Sequence, residues 1–143
     1  MAQDSIFWPM IAMALLTFVP LGMMAVKRVR ATQRGVTVPE DYALGESPRV
    51  PADVALANRS FMNTLEVPVL FHVLSLALYV THGVDLAFLS LAWAYVALRC
   101  AHSLVHLTYN RVTHRLVPFA TSNAVLIAMW VIFAIRLSRH GPD

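Results

Sequence analysis

Charge is scarce in this chain. Asp, Glu, Lys and Arg make up 13% of its 143 residues, against about 25% in soluble domains. A charged solvated surface is therefore excluded, and 58% hydrophobic residues with a mean hydropathy of +0.62 define a membrane protein. Cysteine occurs once, at Cys100. An intrachain disulfide is impossible, and the redox compartment is not legible. Cys100 reads as a buried, inert thiol. A cleavable signal peptide is not expected either. Ala2, Gln3 and Asp4 supply no basic leader, and the first apolar run ends in Lys27-Arg28-Val29-Arg30 instead of small residues. There is no internal repeat and no low-complexity tract. The net charge of +3 sits near helix ends, which points to topology and headgroup contact instead of nucleic acid.

What remains is four apolar runs, expected at about 6–26, 54–81, 86–107 and 116–135 within a single domain over 1–143, with a polar loop over 27–50. Asp4 or Ser5 is the expected N-cap of the first span, and Pro20 is expected to kink it. In the second span, the pure apolar stretch Val67 to Val80 has 14 residues. It reaches about 21 Å, short of a hydrocarbon core of roughly 30 Å. Asn63 and Glu66 must then enter the membrane, with Arg59 near its interface. Leu86 to Leu98 has only 13 residues, so Arg99 and His102 enter as well. Four spans put both termini on one side. The two long-side loops carry Lys27, Arg28, Arg30, Arg34, Arg49, Arg111 and Arg115, which marks them as cytoplasmic.

Two polar stripes result. Arg59, Asn63 and Glu66 share one helical face through spacings of 4 and 3. Arg99, His102, His106 and Asn110 form the other. Each charge at bilayer depth costs about 2.5–3.5 kcal/mol on insertion scales. Such groups face a bundle interior, pair with one another, or bind something. The plain reading is a structural Glu–Arg pair; the sharper one is a cleft for a charged ligand. Arg115, at the start of the fourth span, is either an interfacial snorkelling arginine or an active-site cation, with Tyr109, Arg111 and His114 at the same mouth. His102 and His106 stand four apart, a spacing that can chelate a metal. The remaining histidines, His72, His82, His114 and His140, do not cluster with them, so no metal site is expected. His72 reads as a satisfied core histidine.

The segment Ala57-Asn58-Arg59-Ser60-Phe61-Met62-Asn63-Thr64-Leu65-Glu66-Val67-Pro68 resembles the second-helix motif of the MAPEG family, the membrane-associated proteins of eicosanoid and glutathione metabolism. Arg99-Cys100-Ala101-His102 is similar to the third-helix Arg-x-x-His of its prostaglandin E synthase branch, and Arg115 aligns with the arginine that catalytic branches set on the thiol. The resemblance covers essentially the whole chain. It implies an all-α integral membrane four-helix bundle, assembled as a homotrimer, with glutathione as co-substrate bound between subunits near the cytoplasmic face. Arg59, Asn63, Glu66 and Arg99 would then hold the tripeptide, with His102 beside them and Lys27 adding a carboxylate contact; Arg115 would stabilise the thiolate. The implied activity is a glutathione-dependent transferase or peroxidase on lipophilic electrophiles or lipid hydroperoxides. A non-catalytic lipid- or partner-binding protein on the same scaffold is the alternative. The chain departs from the prostaglandin branch at His106, Leu116 and Phe119, where that branch has or favours hydroxyl residues. It is closer to bacterial members, so a bacterial inner membrane with non-cytoplasmic termini is the expected location.

Overall fold

Apolar runs of this length can satisfy their backbone in a membrane only as helices. The computed structural model describes residues 2–139 and is all-α. Its helices are α1 (Phe7–Gln33), α2 (Ala52–Leu65), α3 (Pro68–Val80), α4 (Leu86–Leu107) and α5 (Val112–Arg139). With α2 and α3 counted as one crossing, four segments are long and apolar enough to span a membrane. His140 lies outside the described residues.

α1 begins differently from expectation. A 3₁₀ turn, Gln3–Ile6, leads into it, and neither Asp4 nor Ser5 caps it through a side chain. Gln3 is used instead as a clasp. Its amide accepts from Val84 N–H (3.0 Å) and donates to Val84 C=O (3.2 Å), tying the N-terminal turn to the α3–α4 connection. α1 then runs unbroken through Pro20 to Gln33. Residues 27–33, read as loop, are therefore two further helical turns. The rest of the loop folds on itself. Arg28 pairs with Glu46 (3.7 Å) and lies over the Tyr42 ring, and Thr37 shares hydrogen bonds with Thr32 and Tyr42. Asp41 accepts from Val38 N–H and from Ser47, and these bonds, in that order, hold its carboxyl below the usual range.

The second crossing breaks at Glu66 and Val67. Pro68 has no N–H, and its ring would clash with the Thr64 carbonyl if the helix continued. Glu66 absorbs the distortion, with ψ −86°, and Pro68 restarts the chain as the first residue of α3. The core joins α1, α3, α4 and α5 through Met13, Phe71, Leu74, Leu78, Phe88, Ala92, Tyr95, Leu126 and Met129. Phe71 and Tyr95 stack within it, centroids 4.7 Å apart. Cys100 is exposed on α4, contrary to the expected buried thiol: the buried face of α4 runs through Val96, Arg99 and Ser103, and Cys100 is turned away from it. His72 is half-buried, edge-on to Phe71, and lines a lateral groove of about 240 Å³ with Thr17 and Thr64 instead of being sealed in the core.

Asp85 fastens α4 to α5. Its carboxylate accepts from Phe88 N–H as the α4 N-cap (2.9 Å) and pairs with Arg136 (2.6 Å), whose guanidinium lies over Phe88. Burial opposes ionisation of Asp85, but the Phe88 and Arg136 hydrogen bonds outweigh it and hold the carboxyl below its ordinary value. The contribution is thus complete above about pH 4 and lost as pH falls through the depressed value. Asp85→Ala should lower unfolding stability in detergent by about 1 kcal/mol from the lost cap alone, whereas Asp85→Ser should recover most of the cap. Thermal melts followed by circular dichroism would show equal melting for all three proteins if Asp85 had no such role.

Candidate functional site

The helix break generates the site's first contact. The last carbonyls of a helix lack donors within it, and α2 ends at Leu65, two residues beyond Asn63. Arg99, reaching from α4, donates through Nη2 to the Asn63 carbonyl. Arg99 is 1% exposed, and its Nη1 has no hydrogen-bond partner. Its guanidinium sits 5.7 Å from the centre of the Phe119 ring of α5. One arginine therefore links three crossings.

One helical turn further along α4 is His102. Its Nδ1 stands 2.9 Å from the Arg115 carbonyl. A carbonyl can only accept, so Nδ1 carries a proton. Nε2 is buried and has no partner. His106, one turn on, is edge-on to His102 with centroids 5.6 Å apart. It is 1% exposed with both nitrogens unpaired.

The second stripe was expected to include Asn110 on the same helix. α4 ends at Leu107 instead, and Asn110 lies in the turn with φ +47°. Its N–H donates to Val105 C=O (2.9 Å), and its Oδ1 accepts from Arg115 Nη1 (2.7 Å). Arg115 is thus held at both ends, by His102 at its carbonyl and by Asn110 at its guanidinium. Tyr109 and His114 meet beside it through the Tyr109 hydroxyl and His114 Nδ1 (3.3 Å).

These residues enclose a cleft of about 200 Å³, lined by Asn63, His102, Val112, Arg115, Leu116 and Phe119. Val112 and Phe119 were not singled out in the sequence as cleft residues. Their spacing with Arg115 and Leu116, at i, i+3, i+4 and i+7, is the legible signal, because it puts all four on one face of α5. A larger cavity of about 370 Å³ lies at the other end of α5, around Asp85, Phe88 and Arg136. It is roughly 31 Å along the helix from Arg115 and contains no residue of either stripe.

One chain brings together Asn63, Arg99, His102 and Arg115. It leaves Arg59 and Glu66 exposed. The buried face of α2 is Val54, Ala57, Ser60 and Thr64, and Arg59 stands about 100° from Ser60 around the helix. Lys27 is engaged elsewhere: its Nζ meets the Asp53 carboxylate (3.2 Å) and carbonyl (3.0 Å). Among the described residues, no group of three His, Cys, Asp or Glu side chains comes together around His102 and His106.

An all-α protein with four membrane-length segments and a cationic cleft between α2, α4 and α5 is the class defined so far. The MAPEG family model matches residues 6–135; the chain belongs to that family. No curated protein and no solved structure matched the chain.

The hydrogen bonds separate the two histidines. His102→Leu should remove the bond to the Arg115 carbonyl, at a cost of about 0.5–1.5 kcal/mol. His106→Leu breaks no hydrogen bond and removes two unpaired buried nitrogens, so it should be neutral or stabilising. Melting temperatures in detergent test this contrast, and a larger loss at His106 would contradict it.

Proposed function

We propose that the protein is an integral membrane glutathione-dependent transferase or peroxidase acting on lipophilic electrophiles or lipid hydroperoxides. The observation that carries this reading is the cationic cleft. Arg115 lines it, and the buried Arg99 behind it keeps an unpaired Nη1. A buried guanidinium donor without a partner is costly, and a carboxylate satisfies it with a charge-assisted bond. An anionic tripeptide would supply such a carboxylate.

In this reading Arg99 and Asn63 bind the tripeptide, with His102 beside them. Arg59, Glu66 and Lys27 complete the contacts to its carboxylates and amine. Arg115 faces the sulfur. A free thiol has a pKa near 8.5 and is mostly protonated at neutral pH; an adjacent guanidinium favours the anion. The thiolate then attacks an electrophilic carbon and expels its leaving group, or attacks a hydroperoxide oxygen. The second route breaks the O–O bond, releases the alcohol and leaves glutathione as a sulfenic acid, which a second glutathione reduces to the disulfide and water. Lipophilic substrates reach it from the bilayer.

A homotrimer belongs to the same reading. The cleft within one chain is about 200 Å³, smaller than the roughly 300–1,000 Å³ of a small-molecule site. Arg59, near the interface, and Glu66, at a depth where exposure to lipid is unfavourable, are both exposed on the single chain. A neighbouring copy would cover them and supply the rest of the site. The basic loops favour termini on the non-cytoplasmic side, and the resemblance to bacterial members favours a bacterial inner membrane. A non-catalytic lipid- or partner-binding role is the second reading. It is favoured by Leu116 and Phe119, which give the cleft two apolar walls and leave its lining without a hydroxyl.

Calorimetry of the detergent-solubilised protein with glutathione tests the proposal. Binding should be seen below millimolar concentrations, and thiolate absorbance should titrate below the free-thiol value. Arg115→Ala should return that titration toward about 8.5. No binding at millimolar glutathione rules out the glutathione reading. Binding with an unchanged thiol titration in Arg115→Ala leaves the binding-protein reading in its place.

A further inference from the structure

We propose that Asn110 is a positioning residue for Arg115: it aims the guanidinium while leaving its charge available to an anion in the cleft. The inference rests on the glutathione reading above. Two independent features of Asn110 support it.

The first is backbone conformation. Asn110 has φ +47°, and its N–H closes the end of α4 on the Val105 carbonyl. Asparagine tolerates this left-handed geometry better than most residues, and only glycine adopts it at no steric cost. The turn thus fixes where the side chain begins, independently of what that side chain touches.

The second is the chemistry of the acceptor. Asn110 Oδ1 takes one N–H of Arg115 at 2.7 Å. An arginine has five such donors in a planar fork, so one bond fixes the plane and leaves donors for a ligand. The acceptor is a neutral amide. A carboxylate in its place would fix the fork equally well but would neutralise it, and an arginine already paired with an anion stabilises a second one poorly. Together with His102 at the Arg115 carbonyl, Asn110 leaves the arginine little freedom and its full charge. A residue that served only to end α4 would be indifferent to this difference.

Two variants separate the possibilities. Asn110→Gly keeps the left-handed turn and deletes the acceptor. Asn110→Asp keeps the shape and adds the competing charge. The titration of bound glutathione is read by thiolate absorbance on the full-length protein in detergent, alongside its binding and melting temperature. With Asn110→Asp the thiolate fraction at pH 7 should fall about threefold or more. With Asn110→Gly it should fall as well, at unchanged melting temperature. If Asn110→Gly does not fold, Asn110→Asp alone decides. Wild-type titration in Asn110→Asp overturns the role of Asn110, provided that wild type binds glutathione and Arg115→Ala shifts its thiol. Failure of either condition removes the glutathione reading itself, and this role with it.

Discussion

The bond from Arg99 to the Asn63 carbonyl is the contact on which the cleft depends. It exists because α2 ends at Leu65, which puts the Asn63 carbonyl among its last, donor-free groups. An unmet carbonyl at membrane depth is unfavourable, and so is an arginine. Each relieves the other, and the pairing fixes α2 against α4 at one level. Phe119 then packs against the same guanidinium and brings α5 to that level. Cleft geometry follows from this junction: Asn63 on one wall, His102 on the second, Arg115 on the third.

Most of the architecture was legible because membrane spans obey length. α4, Leu86–Leu107, is one of the four segments long and apolar enough to cross a membrane. Span ends were less legible. α1 and α5 continue as helix beyond the apolar runs, through residues 27–33 and 136–139, since hydropathy reports the membrane and not the helix. The start of α1 escaped because Gln3 bonds to Val84, 81 residues away, and no local signal marks such a clasp.

The site was legible in composition and only partly in geometry. Spacing put Arg59, Asn63 and Glu66 on one face, but not on which side of the buried Ser60–Thr64 face that stripe would fall. Asn110 fitted helical periodicity with His106, yet the chain turns before reaching it. The burial of both His106 nitrogens without a partner has no counterpart in the sequence. It is a packing outcome, since a histidine at that position is equally compatible with a hydrogen-bonded ring.

The turn between α4 and α5 is four residues long, from Thr108 to Arg111. The two legs it joins carry Arg99 and His102 on one side and Arg115 and Phe119 on the other. Most of the cleft is therefore encoded in one contiguous hairpin near the end of the chain. During synthesis α1 to α3 enter the membrane first, with the Asn63 carbonyl and the exposed polar flank of α2 already in place. The hairpin follows them in the chain, so the cleft cannot close until α5 has been made. Before then the Arg99 guanidinium and the His102 ring lack the Phe119 ring that packs against both.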